Sequence, residues 1–253
     1  MKRHRKRRVS RSTILFIPVS ALIIVFLVVY GVGVFMKVLE INIVGASIYQ
    51  KDDIINASGI AKGDDLLFLN LDAASRNIKS EMPFVRDVTI KRLLPSVILI
   101  EIKETTAIAT IEYQDSVLII DSDCKILKTE ENAPDGLIEV VGLSFIDQVE
   151  GSVLKAELGS DKQLQYLKDV LSAIETEGIE KDISYLDVSN TSKISIGYLG
   201  QFKVVLGPPS NVKHKLSQLP GLIAEIKTKN SDKVTGEIDM SDSSGKWIFN
   251  SKD

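Results

Sequence analysis

The sequence predicts an α+β protein: a single transmembrane helix, then a β-α-α-β-β module, then a second α+β module with a mostly antiparallel sheet. Two observations carry this. One uncharged apolar stretch near the N-terminus has the length of a bilayer span. The rest of the chain mixes short period-two runs with amphipathic helical runs, each bounded by Gly or Pro. Of 253 residues, 44% are hydrophobic and 26% charged, which suits a folded chain and excludes a disordered or collagen-like one.

The membrane element comes first. No residue from Ser12 to Met36 is charged, and Ile14–Met36 is dominated by Ile, Leu, Val and Phe. As a helix these residues span roughly 35 Å, enough to cross a hydrocarbon core of about 30 Å with some tilt. Pro18 falls in an early turn, where its missing N–H costs little. A cleaved signal peptide has an apolar region of about 7–15 residues and a small-residue cleavage site. This stretch is longer, and Val34-Phe35-Met36 is a poor site, so the expectation is an uncleaved anchor. Lys2, Arg3, Arg5, Lys6, Arg7, Arg8 and Arg11 precede it, and only Lys37 follows closely. The bias of positive charge places residues 1–12 in the cytoplasm, 13–36 in the bilayer and the remainder outside. Residues 37–253 hold 24 basic and 34 acidic residues, a net of −10. An acidic body repels phosphate, so nucleic acid is not an expected partner.

The first outer module is placed at 37–104. Val38–Val44 alternates and stops at Gly45, a strand. Gln50–Ser58 reads as a short helix with Ile54 and Ile55 inward, ended by Gly59, and Leu71–Met82 as a second helix with Asp72 near its start. Phe84–Lys91 alternates again, Leu94-Pro95-Ser96 turns the chain, and Val97–Lys103 is a strand with Ile98, Ile100 and Ile102 on one face.

The second module is placed at 105–250. Ala107–Ile111 and Val117–Asp121 read as paired strands, Asp121-Ser122-Asp123 as a turn into Lys125–Leu127, and Gly136–Val141 as a further apolar run. Ser160–Glu177 is a helix with Leu164, Leu167, Val170, Leu171 and Ile174 on one face, a capping box from Ser160 and Gln163, and a stop at Gly178. Strands follow at Ile183–Val188, Lys193–Tyr198 and Phe202–Leu206. A second helix is capped by Asn211 and bent at Pro220, with Leu216, Leu219, Ile223 and Ile226 inward. Val234–Met240 and Lys246–Phe249 are the final strands.

No catalytic constellation emerges. His4 lies in the basic tail, and His214 stands between Lys213 and Lys215 at a helix start, where exposure is the simple reading. Cys124 follows two acids that discourage a thiolate, and as the single cysteine it forms no internal disulfide. Two histidines and one cysteine do not supply the four ligands of a structural zinc site. Asp121-Ser122-Asp123 does not continue into a calcium loop, and Asp52-Asp53 and Asp64-Asp65 read as helix-start and turn residues. Glycine spacing gives neither a phosphate-binding loop nor a dinucleotide fingerprint. The expectation is a binding or scaffolding protein with no catalytic residue, no metal and no cofactor.

Phe84–Glu104, with its V-x-x-V-x-I-x-R-x-x-P pattern and an alternating strand ending in Glu, followed by Ala107-Ile108-Ala109, resembles the end of a POTRA domain of the type in the FtsQ/DivIB bacterial cell-division proteins. Thr105 departs from the basic residue that often follows that Glu. Leu186–Asn190, and Val205-Leu206-Gly207 leading into a helix with Lys213 and Lys215, resemble the same family. The resemblance implies a single-pass scaffold of the division complex, located at the septum. It would bind FtsB/DivIC-like and FtsL-like partners outside the membrane and help regulate septal peptidoglycan synthesis. It implies that the last strand region carries the partner site: Ile238, Asp239, Met240, Ser241, Asp242, Gly245 and Trp247, of which Asp239, Gly245 and Trp247 match the family's pattern. The physical expectation is that this region is a sheet edge with free backbone groups. An envelope-assembly chaperone bearing POTRA domains is the alternative. It is disfavoured because residues 105–253 show no series of roughly ten-residue lipid-facing strands.

Overall fold

The computed structural model describes residues 11–147, 149–230, 232, 234–242 and 245–252, so most of the basic tail, residues 1–10, lies outside the described residues. The chain forms two compact units, residues 1–78 with 87–103, and residues 79–86 with 104–253.

The first unit opens with helix α1, Arg11–Phe35, which overlaps the expected span. Among the described residues no helix is long and apolar enough to cross a membrane, so the anchor remains a reading of the sequence. Then come β1 (Glu40–Val44), α2 (Lys51–Ser58), α3 (Leu71–Glu81), β2 (Val85–Leu93) and β3 (Val97–Glu104), the expected β-α-α-β-β order. The three strands lie in the order β1-β3-β2, with β1 parallel to β3 in a register pairing Glu40 with Val97 and Val44 with Glu101. The parallel pair requires a crossover, and α2 and α3 supply it. Alternation along β3 buries Ile98, Ile100 and Ile102, and the helices bury Ile54 and Ile78. Gly59 ends α2 in the left-handed conformation, as a stop glycine does. The start of α3 is capped from outside the expected helix, because Asn70 Oδ1 accepts the Ala73 N–H at 3.0 Å.

The second unit is one nine-stranded sheet with two long helices. Its strands are β4 (Ala109–Tyr113), β5 (Ser116–Ile120), β6 (Ile126–Glu130), β7 (Ile138–Val141), β10 (Ile183–Asp187), β11 (Ile194–Tyr198), β12 (Phe202–Gly207), β13 (Thr235–Asp239) and β14 (Ile248–Lys252). A separate small ribbon is formed by β8 (Phe145–Asp147) and β9 (Lys155–Ala156). The large sheet runs β14-β13-β12-β11-β10-β7-β4-β5-β6. Most neighbours are antiparallel; β7 is parallel to both β4 and β10, and β12 is parallel to β13.

Helices α4 (Asp161–Glu177) and α5 (Val212–Lys229) pack on each other. Their apolar faces, including Leu167, Leu171, Leu216 and Leu219, join the sheet in one continuous core. Two expected helix caps are corrected. Ser160, at φ −98° and ψ 7° rather than the extended backbone of an N-cap, makes no side-chain cap bond, and Gln163 turns its amide to the carbonyls of Val188 and Ser189 at 3.3 Å instead of reaching back. Asn211 is left-handed at φ 57° and its side chain likewise caps nothing.

Candidate partner-binding edge

The seven residues singled out in the sequence fall in and after β13. Ile238 and Asp239 are not on an edge. Val204 of β12 pairs with Ile238 on one side and Phe249 of β14 on the other; Val205 and Ile248 likewise flank Asp239. The Met240 N–H is also used, donating to Val205 O at 2.8 Å. The expectation of free backbone groups at Ile238–Met240 is therefore corrected. The chain turns back after Met240 and adds one more strand, so the outermost position passes to β14.

The side chains confirm a structural role for this stretch. Ile238 and Met240 are fully buried. The Asp239 carboxylate accepts the Ser241 N–H at 2.8 Å, closing the turn that follows β13. Hydrogen bonding from the Ser241 side chain and backbone holds the Asp239 carboxyl below the usual carboxylate range, against a smaller opposing effect of burial, with Lys193 and Lys215 adding to the lowering. Asp242 and Gly245 are exposed, Ser241 and Trp247 half-buried. Trp247 packs on the core cluster, and its buried Nε1 finds no hydrogen-bond partner among the described residues.

Lys215, named in the sequence only as part of the helix that carries the family resemblance, is buried and donates from Nζ to Leu206 O at 2.6 Å. Burial lowers its pKa, while Asp239 and Asp242 act to raise it. The sequence reading did not place it on the buried stripe of Leu216, Leu219, Ile223 and Ile226; the signal available was its spacing, four residues before Leu219.

β14 is bonded to β13 and, among the described residues, to no other strand. Its attachment depends on a glycine. A Cβ on Gly236 would lie 2.3 Å from Asn250 O and 2.6 Å from the Phe249 ring, so only glycine lets β14 approach. The Phe249 ring fills that space and meets Phe202 edge-on at 6.2 Å between centroids. Ile248 is 59% exposed, and Asn250 and Lys252 are exposed too. The alternate N–H and C=O groups of β14 that do not face β13 point away from the sheet, as in any outermost strand.

The opposite end of the sheet differs. Along β6, Ile126 N donates to Ser152 O at 2.9 Å, Gly151 N to Ile126 O at 2.8 Å, and Thr129 N to Glu150 Oε1 at 2.8 Å. A loop thus covers that edge. Among the described residues, β14 is the open end of the sheet.

Residues weighed for chemistry are dispersed. Cys124 is fully buried and its thiol is pushed up to about 12 by burial, opposed by Lys168. His214 is exposed on α5. Asp121 accepts the N–H groups of Asp123 and Lys125 from Oδ1, at 3.0 and 2.8 Å, which makes it a turn residue. Another cluster was not legible. Arg86 Nη2 donates to Ser122 Oγ at 2.7 Å and Glu175 Oε1 at 2.9 Å, and Ser122 Oγ donates to Glu175 Oε2 at 2.6 Å. Arg86 Nε lies 3.5 Å from Asp123. Its members come from three distant segments, so no local spacing announced it.

The comparisons agree with this architecture. The family model described as "POTRA domain, FtsQ-type" matches residues 36–105. The chain is 28% identical over 212 residues to a cell division protein DivIB of Clostridium acetobutylicum, covering 82% of this chain and 80% of that protein. It is 24% identical over 238 residues to a cell division protein DivIB of Clostridium botulinum, covering 94% of this chain and 90% of that one. To a cell division protein FtsQ of Corynebacterium glutamicum it is 33% identical over 130 residues, 49% of this chain and 57% of that one. Residues 36–105 thus match a POTRA domain of FtsQ type, and over most of its length, across both units, the chain is similar to bacterial cell division proteins of the DivIB kind.

Proposed function

We propose that this chain is a single-pass scaffold of the division complex. It holds an FtsB/DivIC-like partner, and with it an FtsL-like partner, outside the membrane at the septum, and through them helps regulate septal peptidoglycan synthesis. It performs no chemistry itself. The open edge of β14 carries this reading. An extended partner segment that pairs with Ile248–Lys252 satisfies the outward backbone groups, and flanking side chains supply selectivity. Of the seven residues singled out in the sequence, Trp247 adjoins that edge directly and Asp242 and Gly245 stand exposed beside it. Ile238, Asp239, Met240 and Ser241 act as its supporting layer. The membrane part of the reading rests on α1. From Leu22 to Leu27 its apolar side chains are all exposed, around the full circumference of the helix, and such a surface is stable in lipid rather than water.

Amide exchange with and without the outer segment of an FtsB/DivIC-like partner tests the site. Protection gained within Ile248–Lys252, with β6 unchanged, is the expected result. Protection confined to other strands would place the partner elsewhere.

A further inference from the structure

We infer that the rim of the POTRA unit nearest α1 is a second, shallow membrane contact, seated in the interfacial zone of the leaflet from which α1 emerges. The inference rests on reading α1 as the anchor.

Four hydrogen bonds and one ion pair build the rim. Met36, immediately after α1, accepts the Leu66 N–H at 2.9 Å, and Lys37 pairs with Asp65 at 3.8 Å. Leu39 N donates to Ser96 O at 2.9 Å, which brings in the 94–96 turn. Arg92 Nε donates to Leu66 O at 2.7 Å and its Nη2 to Leu69 O, clamping the end of β2 to the loop 66–69. Five large apolar side chains stand exposed on these tied segments: Phe68 at 85%, Leu39 at 66%, Leu94 at 62%, Leu93 at 44% and Leu67 at 42%.

The Met36–Leu66 bond sets the loop that carries Phe68 directly after the end of α1, so a bilayer crossed by α1 would lie next to this exposed ring. The rim carries no cluster of one sign, since Asp65 is matched by Lys37, Arg92 is taken up by carbonyls, and the exposed Glu40 and Lys62 nearby are of opposite charge. Its occupant is therefore the apolar boundary of a lipid bilayer and not an anionic headgroup cluster, and zwitterionic lipid suffices. The far end of the same sheet supplies an internal control. β3 runs from Val97 at the rim to Lys103, roughly 20 Å away at about 3.3 Å per residue.

The test uses the full chain in phosphatidylcholine vesicles, some of whose lipids carry a nitroxide near the glycerol backbone. Phe68→Cys and Lys103→Cys are each labelled with an environment-sensitive fluorophore. Cys124 is fully buried and does not compete for the label. The expected result is at least about twofold quenching at position 68, as for a face seated about 5–10 Å into the interface, with position 103 unquenched. Equal and negligible quenching at both sites, with the protein still held by the vesicles after alkaline carbonate, overturns the rim contact and leaves the anchor intact. Release by carbonate overturns the anchor, and the rim contact with it.

Discussion

Glu175 shows how one carboxylate ties distant segments of the second unit together. Burial acts to raise its pKa, but hydrogen bonds from Ser122 and Arg86, together with the Arg86 charge, outweigh it and leave the group below the ordinary value. A carboxyl with a lowered folded pKa binds fewer protons folded than unfolded. Its contribution is complete above the unfolded value of about 4.3 and is lost as pH falls through the folded value. Glu175→Gln should therefore cost about 1 kcal/mol at neutral pH, a figure kept low because the pair is partly exposed. The difference from wild type should shrink in strong acid. Urea unfolding followed by Trp247 emission at pH 7 and at lower pH reads both; an unchanged midpoint at pH 7 would remove the cluster from the stability account. Ser122 and Glu175 were legible as a turn residue and a helix residue. Their meeting was not, because it depends on how α4 lies over the β5–β6 turn, which no local pattern encodes.

Elements were more legible than their order. The β-α-α-β-β module could be read nearly residue by residue, since Ile98, Ile100 and Ile102 alternate cleanly and Gly59 marks its stop. The nine-stranded sheet could be read as strands but not as a sheet. Its order places β7 between β4 and β10 in parallel pairings that close long loops, and turn chemistry is silent about those. The same blindness put the edge at β13, although Lys246–Phe249 was read as a strand and only its neighbour was unknown. The β13–β14 contact yields a direct prediction. Gly236→Ala drives a Cβ into the β14 backbone, and overpacking of this kind costs about 1–3 kcal/mol. Exchange of the β14 amides should speed up well before that of β11, and affinity for the partner segment should fall. Parallel acceleration of both strands would mean that the sheet yields as one body and β14 is not separately held.

At the scale of the whole molecule, charge and hydropathy divide the chain before any fold is considered. Seven basic and no acidic residues lie within 1–36, against a net of −10 beyond. With α1 as the anchor, protease added outside intact spheroplasts should remove residues 37–253 and spare the first 36. An intact chain under those conditions, with the protease shown to be active, would reverse the orientation. A released outer fragment in untreated cells would instead favour cleavage of the apolar stretch.

The position of β14 in the sheet also bears on synthesis. This strand emerges from the ribosome after every other strand of its sheet, and it docks on β13, which itself reaches the sheet only through α5. A nascent or prematurely terminated chain lacking β14 therefore displays β13 instead, with a different register and with Gly236 uncovered. The surface proposed for the partner comes into being only when the sheet has been filled. Recruitment would thus depend on β14 being in place, so that copies lacking this strand are excluded from the complex by geometry without a separate inspection step.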